Sequence, residues 1–168
     1  SQGNSVADVA VHYPVVSLLA EIEKSDLDYN DYMKLSRIIY DDGIDNDIID
    51  DQSILNATIQ NGRIQINGNE YQALVFGAEN TVRLAVIEKL LALAESGGVV
   101  LFYGKLPTAT TENGRDDEKL VSLLKLLLDS PSLNKISNNI IEHKFKNGGY
   151  AAFIKESPAL LPSKLSEH

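Results

Sequence analysis

Two short apolar runs on either side of one amphipathic segment organise the middle of the chain. Ala73-Leu74-Val75-Phe76 and Val99-Val100-Leu101-Phe102-Tyr103 contain no charged residue, and each is closed by glycine, Gly77 and Gly104. Continuous apolar runs of this length predict strands buried on both faces, as in a parallel sheet. Between them, Val82, Val86, Leu90, Leu93 and Ala94 recur at helical spacing over residues 81–96, with Arg83, Glu88, Lys89 and Glu95 elsewhere on the helix. Thr81 is the expected N-cap, and Gly97 falls at the position where helices commonly end in left-handed backbone. Strand, helix and strand within residues 71–104 predict a right-handed βαβ unit.

The remaining chain repeats the alternation. Residues 6–11 read as a first strand, with His12-Tyr13-Pro14 at its carboxyl end. Val15, Val16, Leu18, Leu19 and Ile22 have helix-compatible spacing, as do Tyr32, Leu35, Ile38 and Ile39 in a second helix stopped by Gly43. Residues 44–49 form an acidic strand, followed by a turn over residues 50–53. Ala57-Thr58-Ile59 and Ile64-Gln65-Ile66 flank Asn61-Gly62, which predicts a small β-hairpin insertion near residues 57–66. Residues 105–115 read as a polar loop. Asp116 and Asp117 then precede a helix with Leu120, Leu123, Leu124, Leu127 and Leu128 on one side. Residues 136–145 and 150–154 read as two last strands around Asn147-Gly148-Gly149, and residues 158–165 as a closing helix. The expected fold class is α/β: a single domain, three-layered and flavodoxin-like, with a mostly parallel sheet in the order 2-1-3-4-5.

Composition narrows the partners. With 168 residues, 43% hydrophobic and 23% charged, the chain suits one globular domain. The formal net charge of -9, with fifteen Lys and Arg scattered along the chain, offers no basic patch for nucleic acid or an anionic membrane. No apolar run approaches the ~20 residues of a membrane helix, and no signal peptide is visible. The chain opens Ser-Gln-Gly, which reads as a piece of a longer or processed polypeptide. The lack of cysteine removes disulfides, thiolate metal sites and cysteine nucleophiles.

Ligands on such sheets bind beyond the carboxyl ends of the strands. That directs attention to His12, Tyr13, Glu79, Asn80 and Arg115, the candidate ligand-binding residues. His12-Tyr13-Pro14-Val15 has no glycine, so the first strand leads into neither a dinucleotide nor a phosphate loop. A flavin site would want a Ser/Thr/Gly-rich turn there. A receiver domain wants aspartate where Gly77 stands, and no serine sits in a G-x-S-x-G elbow. The acidic run over residues 41–51 is rich in oxygen, yet its spacing does not match an EF-hand loop; a solvated helix end and strand edge is the plainer reading. No cofactor, metal or catalytic residue is expected. Tyr13, Tyr103 and Tyr150 near strand ends read as core or rim.

Residues 7–14 (ADVAVHYP), residues 44–50 (IDNDIID) continuing to Gly62-Arg63-Ile64, and residues 71–76 (YQALVF) together form a recognisable series. So does the loop Leu106-Pro107-Thr108 with Glu112-Asn113-Gly114-Arg115-Asp116-Asp117. Over residues 6–154 the chain resembles the flavodoxin-like, glutamine-amidotransferase-like accessory domain of large bacterial glycoside hydrolases of the α-L-rhamnosidase type. Gly77 departs from the pattern, in which proline is frequent. The resemblance implies a non-catalytic domain excised from a longer enzyme, similar to the trimerisation domain of certain β-galactosidases. Its expected partners are the parent's catalytic barrel or a second copy, and the expected setting is periplasmic or secreted. The alternative is a carbohydrate- or small-ligand-binding module built on the strand ends. An independent hydrolase is least supported, because no nucleophile–base set can be assembled from these residues.

Overall fold

A computed structural model describes residues 8–12, 29–77, 80–130 and 140–168. The central sheet has six strands: β1 (Val9–His12), β2 (Asn46–Ile49), β6 (Ala73–Phe76), β8 (Val99–Tyr103), β11 (Ile140–Lys144) and β12 (Tyr150–Ile154). Their order is β11-β12-β8-β6-β1-β2. Every neighbouring pair is parallel except β11 with β12. The intervening strands are β3 (Thr58–Gln60), β4 (Arg63–Ile66), β5 (Asn69–Tyr71), β7 (Thr81–Val82), β9 (Ala109–Thr110) and β10 (Gly114–Arg115). The helices are α1 (Tyr29–Asp41), α2 (Asp51–Leu55), α3 (Leu84–Ser96), α4 (Glu118–Leu128) and α5 (Leu160–Glu167).

Side-chain alternation along the parallel strands divides the interior into two cores. Leu74, Phe76, Val100, Phe102, Ala151 and Phe153 face the side covered by α3 and α4. Ala73, Val75, Val99, Leu101, Ala152 and Ile154 face the side covered by α1 and α5. Because both faces are covered, neither set can be polar, and the strands read as unbroken apolar runs. Helix α3 packs Val86, Ile87, Leu90, Leu93 and Ala94 inward. Each fully buried Leu or Ile of this kind contributes about 1.5–3 kcal/mol. Gly97 ends the helix at φ 115°, in the left-handed region that glycine enters without Cβ strain.

The architecture is mixed α/β with a mostly parallel central sheet, and it departs from expectation in several places. The anticipated five-strand order 2-1-3-4-5 becomes a six-strand sheet in which the last hairpin inserts its second strand beside β8. Tyr150–Ile154 is buried at every position and takes the inner place; Ile140–Lys144 interleaves Glu142 and Lys144 and forms the edge. The hairpin near residues 57–66 gains a third strand, giving an antiparallel β3-β4-β5 sheet. Thr81 does not cap α3. It lies in β7, and the helix starts three residues later, at Leu84. The turn expected over residues 50–53 is the start of α2, capped by Asp50, whose carboxylate accepts Ser53 N–H at 2.8 Å. The expected loop over residues 105–115 contains β9 and β10. The helix expected over residues 15–22 lies outside the described residues. No described helix is long and apolar enough to cross a membrane.

Candidate functional site

The carboxyl ends of β1, β2 and β6 converge on His12. It terminates β1, pairs in register with Ile49 of β2, and is 2% exposed. Its ring lies flat on Phe76, the last residue of β6, with centroids 4.1 Å apart and planes 3° from parallel. The His12 Nε2–H donates to Oδ1 of Asp51, the first residue of α2, which is itself buried. The other carboxylate oxygen, Oδ2, pairs with Arg83 Nε at 3.2 Å, from the residue preceding α3. One carboxylate at the start of α2 therefore ties the end of β1 to the residue that precedes α3. A buried charge is tolerable only when paired and hydrogen-bonded, and here both oxygens are used. Next to it, the Asp50 carboxyl is held below the usual range, first by the Ser53 N–H and to a smaller degree by the charge of His12.

Past β6 and β8 the chain builds a second layer on the same rim. β7 pairs parallel with β9, and β9 pairs antiparallel with β10. The Asn80 carbonyl accepts Thr108 N–H and Ala109 N–H at 3.0 and 3.1 Å. Glu112, at the β9–β10 turn, accepts Leu84 N–H at the start of α3. Asp117 Oδ2 accepts from Thr110 Oγ1 at 2.8 Å and from Asn113 Nδ2 at 2.9 Å, while Oδ1 caps α4 through Lys119 N–H at 3.0 Å. These donors, Asn113 foremost, hold the Asp117 carboxyl below its ordinary value. Among the described residues no buried side-chain nitrogen or oxygen lacks a hydrogen-bond partner.

The structure thus brings His12 together with Asp51 and Arg83, neither of which the sequence singled out. Asp51 lay inside the acidic run and carried no mark beyond its place before Ile54 and Leu55. Arg83 carried none. Asn80 contributes its backbone carbonyl, and Arg115 is exposed on β10, three residues past the Glu112 turn. Tyr13 and Glu79 lie outside the described residues. No group of three or more His, Asp or Glu with metal-binding geometry occurs among the described residues. A cavity of about 300 Å³ lies on the opposite rim, between Asp8, Gln72, Val99, Leu165 and His168 at the amino ends of β1, β6 and β8. It does not touch the His12 cluster.

No protein-family model and no curated protein matches this chain. Solved structures do. Gan42B, a GH42 β-galactosidase, superposes with a TM-score of 0.67 at 10% identity, over 96% of this chain and 29% of its own. A catalytic mutant of Gan42B from G. stearothermophilus gives 0.68, again at 10% identity. The β-galactosidase from Rahnella sp. R3 gives 0.66 at 13% identity, over 96% of this chain and 31% of that one. What is shared is the fold. The chain spans less than a third of the length of these enzymes.

Proposed function

We propose that this chain is a non-catalytic structural or interaction domain of a larger glycoside hydrolase, packing on the catalytic barrel or on a second subunit. The observation that carries the reading is the coverage: nearly the whole chain has the fold of a segment of β-galactosidases about three times as long. The carboxyl rim supports it. On this fold that rim would carry chemistry, and among the described residues the buried side chains there, His12, Asp51, Thr110 and Asp117, are all engaged in hydrogen bonds within the protein. The finer assignment, a flavodoxin-like domain of an α-L-rhamnosidase-type enzyme, rests on the Leu106-Pro107-Thr108 and Glu112–Asp117 motif and its neighbours.

The test has two arms. The chain is screened against a panel of aryl glycosides and free sugars, and the full glycoside hydrolase is cross-linked and mapped by mass spectrometry. The reading expects no turnover by the chain alone, and cross-links from it to the barrel or a second subunit. Turnover that vanishes in Asp51→Asn or Asp117→Asn would overturn it. Saturable sugar binding lost in Arg115→Ala would favour the binding-module alternative instead.

A further inference from the structure

Asn-Gly occurs four times in the chain, at residues 61–62, 67–68, 113–114 and 147–148. In this dipeptide the backbone nitrogen of glycine, unshielded by a side chain, can attack the carboxamide carbon of the preceding asparagine. Local sequence makes the four nearly equivalent. Their surroundings do not.

At three of the four the reacting groups are restrained. Gly62 N–H donates to Ser96 Oγ at 3.1 Å, and the Gly62 backbone lies so close to Gly97 that a Cβ there would stand 2.9 Å from the Gly97 carbonyl carbon. The Asn113 carboxamide donates to Asp117 Oδ2, and its backbone N–H donates to Thr110 Oγ1. The Asn147 carboxamide donates to the Glu95 carbonyl at 3.2 Å, and Gly148 N–H donates to the Phe145 carbonyl at 3.1 Å. The fourth differs. Asn67 and Gly68 form the exposed two-residue tip between β4 and β5, at φ 50° and 84°, and nothing lies within 4 Å of where a Gly68 Cβ would be. Closing the ring requires Asn67 to leave the left-handed region, and this tip can turn without displacing another element.

We propose that Asn67 is the site of spontaneous deamidation in the native protein. The Gly68 nitrogen gives its proton to a solvent base and bonds to Asn67 Cγ. The Cγ–Nδ2 bond breaks, and ammonia leaves with a proton from water. Water then opens the cyclic imide at either carbonyl, leaving an aspartyl or an isoaspartyl linkage. The isoaspartyl product adds a methylene to the main chain of a two-residue loop. That misaligns the Ile66–Asn69 pair and loosens the buried Ile66 and Tyr71 beside it.

The four sites fall on separate tryptic peptides, residues 38–63, 64–83, 106–115 and 147–155. The folded protein, and the same protein in denaturant, are incubated at mildly alkaline pH and mapped by mass, with isoaspartyl methyltransferase labelling. In denaturant all four should convert at similar rates. In the native state peptide 64–83 should lead by about tenfold or more, since opening free energies run from near zero at loop tips to the global value in packed elements. Asn67→Gln should abolish that lead. Equal native rates, a lead at another peptide, or a gain on peptide 64–83 that persists in Asn67→Gln would each overturn the assignment.

Discussion

Glu112 caps a helix that begins 28 residues before it: both carboxylate oxygens accept the Leu84 N–H, at 3.0 and 3.2 Å. The residue at the N-cap position itself, Arg83, makes no side-chain cap bond, because a guanidinium has only donors and cannot accept a backbone N–H; it pairs instead with Asp51. The β9–β10 turn thus supplies from outside what the local sequence lacks, a carboxylate at the positive end of α3.

Glu112→Ala should therefore behave as the loss of an N-cap. The expected cost is about 1 kcal/mol. In a chain of this size that corresponds to a melting point lower by about 2–4 °C. Thermal unfolding followed by circular dichroism reads it, and an unchanged midpoint would show the contact to be incidental.

Asp51→Ala should cost far more, because it removes the buried carboxylate to which both His12 and Arg83 are bonded. Removing one member of a buried pair typically costs about 3–5 kcal/mol. Arg83→Ala, whose side chain is 45% exposed, should cost no more than about 1 kcal/mol. Urea unfolding of the two variants separates a structural clamp, which predicts this inequality, from a surface ion pair, which predicts similar small losses.

Gly149 sits where a Cβ would come 1.8 Å from the Ala94 carbonyl oxygen, a backbone atom that cannot swing aside. Gly149→Ala should force α3 and the β11–β12 turn apart, costing at least the ~1–3 kcal/mol of ordinary overpacking. A denaturation midpoint equal to the wild type would mean that this junction yields freely.

Acid should undo the fastening of α5. Lys164 Nζ donates to Glu142 Oε1 at 2.8 Å, and the Tyr150 hydroxyl donates to the same oxygen. Lys164, then Tyr150, hold the Glu142 carboxyl below its ordinary value. A depressed carboxylate stabilises the fold above its unfolded value of 4.5 and loses that contribution as pH falls through the folded value. Lys164→Met should therefore flatten the acid limb of the stability–pH curve, and an identical limb would exclude the contact from it. At the alkaline end Tyr71, raised to about 12 mainly by burial and then by its bond to Asp47, favours the fold while neutral. That contribution is whole below the unfolded value of 10 and is lost as pH rises towards 12. Tyr71→Phe should remove the step from a spectrophotometric titration.

The parallel strands and α3 were legible because their signals are local. Ala73–Phe76 and Val99–Tyr103 are apolar at consecutive positions, and Val86, Leu90 and Leu93 keep helical period without reference to anything distant. The candidate site was half legible. His12 is legible as the last residue of a strand, whereas its bond to Asp51, 39 residues away, and the pairing of Asp51 with Arg83 are not. The start of α3 was misplaced because Thr81 is a good cap by type, whereas pairing with Ala109 draws it into β7.

By itself, then, the sequence determined an α/β domain with doubly covered strands and no cysteine chemistry, since these follow from residue type and short-range period. Only the tertiary structure decided that Tyr150–Ile154 lies inside Ile140–Lys144, that Glu112 caps α3, and that Asp51 closes the rim around His12. Each of these is a contact between residues whose separation along the chain carries no periodic trace. Burial and charge pairing choose such partners only once the sheet has brought them within reach.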